Sequence, residues 1–224
     1  MKLSVIVPIL NEAQQMPHLL ADLQPLQRQG WEVIVVDGGS ADGSYAIAQA
    51  SGFTVLQSAQ GRARQMNAGA GVANGDVLLF LHADTRLPQG AAALIEQALR
   101  SRTRCWGRFD VCISGQAWML RVVSRCMNWR SRLTGIATGD QAIFVLRSAF
   151  EAVQGFPDQP IMEDIEISKR LGRLSRPACI GHCVTTSGRR WETRGVWRMI
   201  LLMWRLRWQY WRGVPAHQLA RLYQ

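Results

Sequence analysis

A chain of 224 residues with 48% hydrophobic content is long enough for one large α/β domain with a substantial core, and too apolar to be disordered. Its net charge of +10 is unevenly placed: residues 1–99 carry −3 and residues 100–224 carry +13, so the second part is suited to an anionic partner or surface. Five cysteines with no Cys-x-x-Cys pair suit a reducing compartment, and Cys179-x-x-His182-Cys183 lacks the second ligand pair that structural zinc requires.

The first apolar run begins at Leu3 behind one Lys and is ended by Pro8, Asn11 and Glu12, too soon for a secretory signal, so a cytoplasmic location is expected. Leu3–Leu10 predicts a strand, followed by a helix to about Gln29 with Gly30 closing it. Trp31–Val36 predicts a second strand, ending in Asp37-Gly38-Gly39-Ser40. A helix over Tyr45–Ser51, stopped by Gly52, precedes a short strand at Phe53–Leu56. Gly61-Arg62-Ala63-Arg64 opens another helix, which Asn74-Gly75 ends. Val77-Leu78-Leu79-Phe80-Leu81 is a continuous apolar run, the pattern of a strand buried on both faces, and it delivers His82-Ala83-Asp84.

Beyond that strand, Ala91–Arg102 predicts a helix and Cys105–Ser114 a strand. Trp118–Arg132 reads as an amphipathic helix, and Gln141–Leu146 as a strand behind Gly139-Asp140. Met162-Glu163-Asp164 leads into a helix reaching about Leu174, and Cys179–Thr186 is the last strand. Arg194–Arg212 predicts a long helix, with a short one from Pro215. Strands alternating with helices predict βαβ units: an α/β fold with a mostly parallel twisted sheet, flanking helices and right-handed crossovers.

In such sheets ligands bind beyond the carboxyl ends of the strands, where Asp37 and Asp84 stand. Asp37 before two glycines can accept from a base or ribose, or can simply cap the turn. Gly61-Arg62-Ala63-Arg64 offers backbone N–H groups and two guanidinium groups, which suit a diphosphate; a solvated arginine pair is the plainer alternative. Asp84 can hold a hard divalent cation that bridges phosphates, or cap the following turn. The two-residue period puts His82 on the same side as Asp84, as hydrogen-bond donor, ligand or core histidine. Glu163-Asp164 supplies two acids for a general base, or ordinary first-turn acidity that complements the helix dipole.

Pro8-Ile9-Leu10-Asn11-Glu12, Val36-Asp37-Gly38-Gly39-Ser40, Asn67-Ala68-Gly69, His82-Ala83-Asp84 and Glu163-Asp164 occur in an order and spacing that resemble a family 2 glycosyltransferase. Within that family the chain looks most like small bacterial members linked to arsenosugar biosynthesis. The resemblance covers roughly residues 1–190 and implies the GT-A (Rossmann-like) fold, a nucleotide-diphospho-sugar donor, a divalent cation (Mn²⁺ or Mg²⁺) and inverting transfer of one sugar. It implies that residues 1–99 hold the donor and residues 100–190 the acceptor, with 191–224 as an Arg/Trp-rich helical extension. Pro8, Asn11, Glu12 and Asp37 would then line the nucleoside pocket, and Arg64 and Asn67 the diphosphate. Asp84 would hold the metal, and Asp164, beside Glu163, would be the base. Gly139, Asp140 and Gln141 would form part of the acceptor pocket, joined by Arg190 and Trp191. Two departures stand out. His82 replaces the first carboxylate of the family's Asp-x-Asp, and Ser187-Gly188-Arg189-Arg190-Trp191 lacks the Gln of the Gln-x-x-Arg-Trp found in processive members, which favours a single transfer.

Residues 195–214 resemble a membrane segment only at first sight, because the longest uncharged stretch, Met199–Trp204, falls far short of the roughly 20 residues a span needs. On a helix Arg194, Arg198, Arg205 and Arg212 share one stripe beside a Trp/Leu/Met face, with Arg207 off it. That pattern suits peripheral contact with the inner face of the cell membrane and a lipid or small-molecule acceptor. A core helix, or a homodimer helix whose arginines snorkel, fits it too. A nucleotidyltransferase on a related fold would carry a Gly-rich basic signature after the first strand, which is absent. A basic module without catalysis is the remaining alternative; no nucleic-acid motif appears, and the acidic first part would repel phosphate backbones, so no nucleic-acid partner is expected.

Overall fold

The computed structural model describes residues 1–101 and 103–223. In its first half β1 (Leu3–Ile9), α1 (Met16–Arg28), β2 (Glu32–Asp37), α2 (Ser44–Gln49), β3 (Thr54–Gln57), α3 (Arg62–Val72) and β4 (Val77–Phe80) alternate. The short β5 (Thr85–Arg86) and α4 (Ala91–Leu99) follow, then β6 (Trp106–Ser114) and α5 (Met119–Thr134). A 3-10 turn at Gly139–Gln141 precedes β7 (Phe144–Leu146), α6 (Arg147–Ala152), α7 (Glu163–Gly172) and β8 (Ala178–Ser187). Helices α8 (Arg189–Arg194), α9 (Val196–Trp211) and α10 (Ala216–Tyr223) complete the described chain.

One sheet joins the strands in the order β3-β2-β1-β4-β7-β6-β8-β5. The first four run parallel, so the ends of β1, β2 and β4 open onto a common edge. Strand β7 turns antiparallel to β4 and β6, while β8 runs parallel to β6 and antiparallel to β5. The sheet is therefore mostly parallel in its first half and mixed in its second.

Strand period explains the two cores. Val5, Val7 and Ile9 of β1 face one side with α1, α4 and α5, whereas Ile6 faces the other with α3, α6 and α7. Burial of each such side chain contributes about 1.5–3 kcal/mol, so β1 and β4 are fixed rails for whatever their ends carry. Gly69 lets α3 lie close on β1, since a Cβ there would sit 2.5 Å from Ile6 Cγ2. A third cluster, Met162, Ile165, Leu206 and Leu219, fastens α9 and α10 to the start of α7.

Three expectations shift. The strand expected over Gln141–Leu146 shortens to β7, because Gln141 Oε1 accepts from the Thr138 N–H (3.1 Å) and folds its segment into a turn. The helix expected over Arg194–Arg212 breaks at Gly195, whose φ of +84° no side-chain-bearing residue adopts cheaply. Helix α4 ends at Leu99, and Arg102, its expected end, lies outside the described residues.

Candidate active site

The donor-side edge is built from the ends of β1 and β2. Asp37 is fully buried; its Oδ2 accepts from the N–H groups of Gly39 (2.9 Å) and Ser40 (3.0 Å), while Oδ1 has no partner among the described residues. Asn11 takes a left-handed φ of +54°, its N–H donates to Ser40 Oγ (2.9 Å) and its Oδ1 accepts from the Ala41 N–H (2.9 Å), which locks the two loops together. Pro8 lies one rung back, opposite Val36. Beneath them the buried Gln65 of α3 donates through Nε2 to the carbonyls of Ile9 (2.7 Å) and Val36 (2.8 Å). Gln65 thus pins both strand ends; a polar residue on a helix face gave no sign of this in the sequence.

Glu12 and Asp84 share the next stretch of the edge. Burial pushes the Glu12 carboxyl up and the Asp84 charge adds to it, while Arg189 and Arg190 pull the other way. Asp84 is exposed, in the turn after β4, and its carbonyl accepts from the Ser187 N–H (3.2 Å), which brings the loop carrying both arginines beside it. Strand β4 stops at Phe80, so the two-residue period does not reach His82. His82 turns inward instead: Nδ1 lies 3.3 Å from Asp140 Oδ1, and the buried Nε2 has no partner among the described residues.

Asp140, Gly139, Glu163 and Asp164 complete the acidic side. Asp164 Oδ2 accepts from the Gly139 N–H (3.1 Å) and Oδ1 from the Ile165 N–H (2.8 Å), so its carboxylate is held at the mouth of a small cavity that His82, Gly139 and Glu163 also line. Burial works to raise the Asp140 carboxyl, but the His82 hydrogen bond and the Arg62 and Arg190 charges hold it below the usual range. Glu163 is buried, and burial together with the Asp164 charge pushes it up to about 7 against the opposing Arg62. Arg62 Nη1 lies 3.8 Å from Glu163 Oε1 and is the cation of this cluster. Asp84 does not line the cavity; Arg190, which lowers both Glu12 and Asp140, is the charge common to the two acidic groups.

Other expected site residues sit elsewhere. Arg64 makes a two-pronged ion pair with Asp158 (2.7 and 2.9 Å) on the surface, because residues two apart on a helix point in nearly opposite directions. Asn67 donates to the Phe156 carbonyl (2.8 Å) and accepts from the Phe156 N–H (2.9 Å), a brace between α3 and the loop before α7. Gln141 is fully buried and donates to Asn128 Oδ1 (3.2 Å). Trp191 is half-buried against the larger core, and Arg190 meets Tyr223 of α10 through the hydroxyl and, at 5.3 Å, the ring.

A strand edge bearing a buried carboxylate with one unpartnered oxygen, a second exposed carboxylate and a third that lines a cavity agrees with what comparison with known proteins finds. Residues 4–147 match the family model "Glycosyl transferase family 2". The chain belongs to that family. An undecaprenyl-phosphate 4-deoxy-4-formamido-L-arabinose transferase of Sodalis glossinidius is 28% identical over 157 residues, 62% of this chain and 46% of that protein. The chain spans less than half the length of the curated relatives it matches. S. aureus TarS 1–349, solved with UDP-GlcNAc, superposes with a TM-score of 0.67 at 17% identity, covering 84% of this chain and 58% of that one. The Pyrobaculum calidifontis mannosyltransferase PcManGT, solved with GDP-Man and Mn²⁺, gives 0.59 at 21% identity over 82% and 56%. The GT-A fold is thereby shown.

The family's cation fits these residues in a restricted way. No cluster of three or more His, Cys, Asp or Glu side chains that could hold a metal exists among the described residues. Asp84 presents an exposed carboxylate beside Glu12, and Mg²⁺ or Mn²⁺ is commonly held by one or two carboxylates with phosphates and water filling the rest. The charge that Asp84 and Glu12 impose on each other is what a cation would relieve. His82 gives its Nδ1 to Asp140 and keeps its unpartnered Nε2 buried against Gly139.

Proposed function

We propose that this chain is an inverting transferase that moves one sugar from a nucleotide-diphospho-sugar onto an acceptor hydroxyl. The observation that carries the reading is Asp164, whose carboxylate is fixed by two backbone N–H groups and lines a small cavity beside the end of β4. The unpartnered Asp37 Oδ1 suits an N–H of a base, and Asn11, Glu12 and Pro8 flank it. Arg62, not Arg64, is suited to the diphosphate, since it already faces the cluster.

In the proposed step Asp164 accepts the proton of the acceptor hydroxyl as its oxygen bonds to the anomeric carbon from the face opposite the diphosphate. The bond from that carbon to the diphosphate oxygen breaks, and its electron pair leaves with the nucleoside diphosphate. Asp84 would hold the cation, which when bound neutralises charge on the leaving diphosphate. Gly139 borders the cavity on the acceptor side, and Asp140 is held next to it by His82. A lipid acceptor is supported by the activity for which the Sodalis relative is named and by the row of tryptophans on α9. No helix among the described residues is long and apolar enough to cross a membrane, so such an acceptor would be met by contact along one surface.

The test is a panel of nucleotide-sugars with and without Mn²⁺, read by thermal shift and by transfer, on wild type, Asp84→Asn and Asp164→Asn. Loss of a general base costs about 10²–10⁴ in rate, and an inverted anomer should appear by NMR. Transfer undiminished in both variants would sink the assignment.

A further inference from the structure

Two arginines border the site without a role in the scheme above. Arg130 projects from α5 and Arg207 from α9, and neither guanidinium makes an ion pair or hydrogen bond among the described residues. Arg130 is not simply solvated: its Nε and Nη2 are buried and unpartnered. A buried charged donor without a partner is costly, so Arg130 held this way is expensive unless something fills the space beside it.

The fold explains how both reach the site. Leu206, next to Arg207, is fully buried against Met162 and Ile165, which flank the Glu163-Asp164 pair. Asn128, two residues before Arg130, accepts from Gln141 in the turn whose Gly139 N–H holds Asp164. Burial first and then the Arg207 charge lower the Arg130 guanidinium to about 10, against the opposing charge of Asp164. Arg207 is likewise lowered by burial and steadied by Asp164 and Asp140. The two cations are therefore within electrostatic reach of the candidate base, and neither has a carboxylate at bonding distance among the described residues.

We propose that Arg130 and Arg207 form a subsite for a phosphate monoester carried by the acceptor. Two guanidinium forks match a tetrahedral group with three free oxygens, and a monoester carries close to two charges at neutral pH, where a carboxylate carries one. This rests on the transfer reading for the word acceptor, but the anion site itself does not depend on transfer.

The test is calorimetric titration of the full chain with inorganic phosphate, n-hexyl phosphate and uncharged n-hexanol, with UDP and GDP titrated into the same samples. Hexyl phosphate should bind wild type, and Arg130→Gln and Arg207→Gln should each weaken it by about tenfold or more, as truncation of a buried charged contact does. Should the Gln variants fail to fold, Arg130→Lys and Arg207→Lys decide: they keep the charge, lose the fork, and should still bind several-fold more weakly. Tighter binding of hexyl phosphate than of inorganic phosphate assigns the site to a lipid headgroup, and equal binding assigns it to a small phosphorylated acceptor. Equal affinity for hexyl phosphate in wild type and variants, or none in wild type, overturns the proposal. Failure of every nucleotide to bind wild type would instead remove the donor reading and leave the phosphate result standing.

Discussion

His82 sits against Gly139 so closely that a single methyl group on Gly139 would overlap the imidazole ring. The same Gly139 donates its N–H to Asp164, and the same His82 pairs with Asp140, so one close contact bears on both Asp140 of the turn and Asp164 of α7. Gly139→Ala must displace the ring or the turn. It should cost about 1–3 kcal/mol of stability, as overpacking does, and lower transfer at least tenfold by moving the N–H away from Asp164. The double variant Gly139→Ala/His82→Ala should recover part of the stability, because removing the ring makes room. Chemical denaturation of the two single variants and the double closes the cycle, and strictly additive losses would show that the contact is not what matters.

Arg62 and Arg64 stand two residues apart yet face different worlds. Arg64 and Asp158 are both more than half exposed, and such pairs contribute at most about 1 kcal/mol. Arg64→Ala should therefore leave nucleotide-diphosphate affinity unchanged. Arg62→Ala should weaken UDP or GDP binding by about tenfold, the loss of one charge-assisted contact. Titration calorimetry in the presence of Mn²⁺ measures both, and a larger effect from Arg64 would restore the assignment made from the motif alone.

How far the sequence could go is seen at these same residues. Asp37 and Asp84 were legible because an unbroken apolar run announces a buried strand, and a carboxylate at its end has few reasons to be there. Arg62 and Arg64 could not be separated, because the side of α3 that packs on β1 is set by Ala63, Met66 and Ala70, a weakly amphipathic set. Gln65 was illegible as a structural residue, since its partners are main-chain carbonyls far along the chain, whereas Gln141 closes a local Thr-x-x-Gln capping box with Thr138. Asn67 shows the reverse: its place in a motif suggested a ligand, while its hydrogen bonds are a brace to Phe156. Arg130 and Arg207 gave no signal at all, because their meeting depends on how α5 and α9 dock.

Glu163 makes stability depend on pH in a defined direction. Its carboxyl is raised from 4.5 to about 7 in the folded protein, first by burial and then by the Asp164 charge. The folded state thus holds a proton that the unfolded chain has already lost, so stability falls as pH rises from about 4.5 to about 7 and then levels off. Glu163→Gln removes the titration while keeping the shape. Above pH 7 the variant should melt several degrees higher than wild type, on the order of 2 kcal/mol, and below pH 4.5 the two should converge. Melting curves across that range check it, and a gap that widens toward acid would contradict the assignment.

Helix α9 divides its side chains by face. Met199 and Leu206 are buried inward, whereas Trp197, Leu201, Trp204, Trp208 and Trp211, at steps of four and three, are each at least 56% exposed. Four tryptophans in a row at the surface of a folded domain are costly unless something covers them, since an indole buries a large apolar area and keeps one N–H for a wet boundary. Exposed Arg198, Arg205 and Arg212 run alongside, and Arg212 stacks over Trp208 at 5.0 Å. Aromatic rings flanked by guanidinium groups suit the headgroup layer of an anionic bilayer. Wild type should therefore co-sediment with phosphatidylglycerol vesicles more than with phosphatidylcholine vesicles, and 1 M salt should erase the difference, because screening then acts within about 3 Å. Replacing Trp197, Trp204, Trp208 and Trp211 together by Ser should reduce partitioning by about tenfold or more. If instead the wild type is a dimer in analytical ultracentrifugation and that variant a monomer, the row is a subunit interface, and the membrane reading falls.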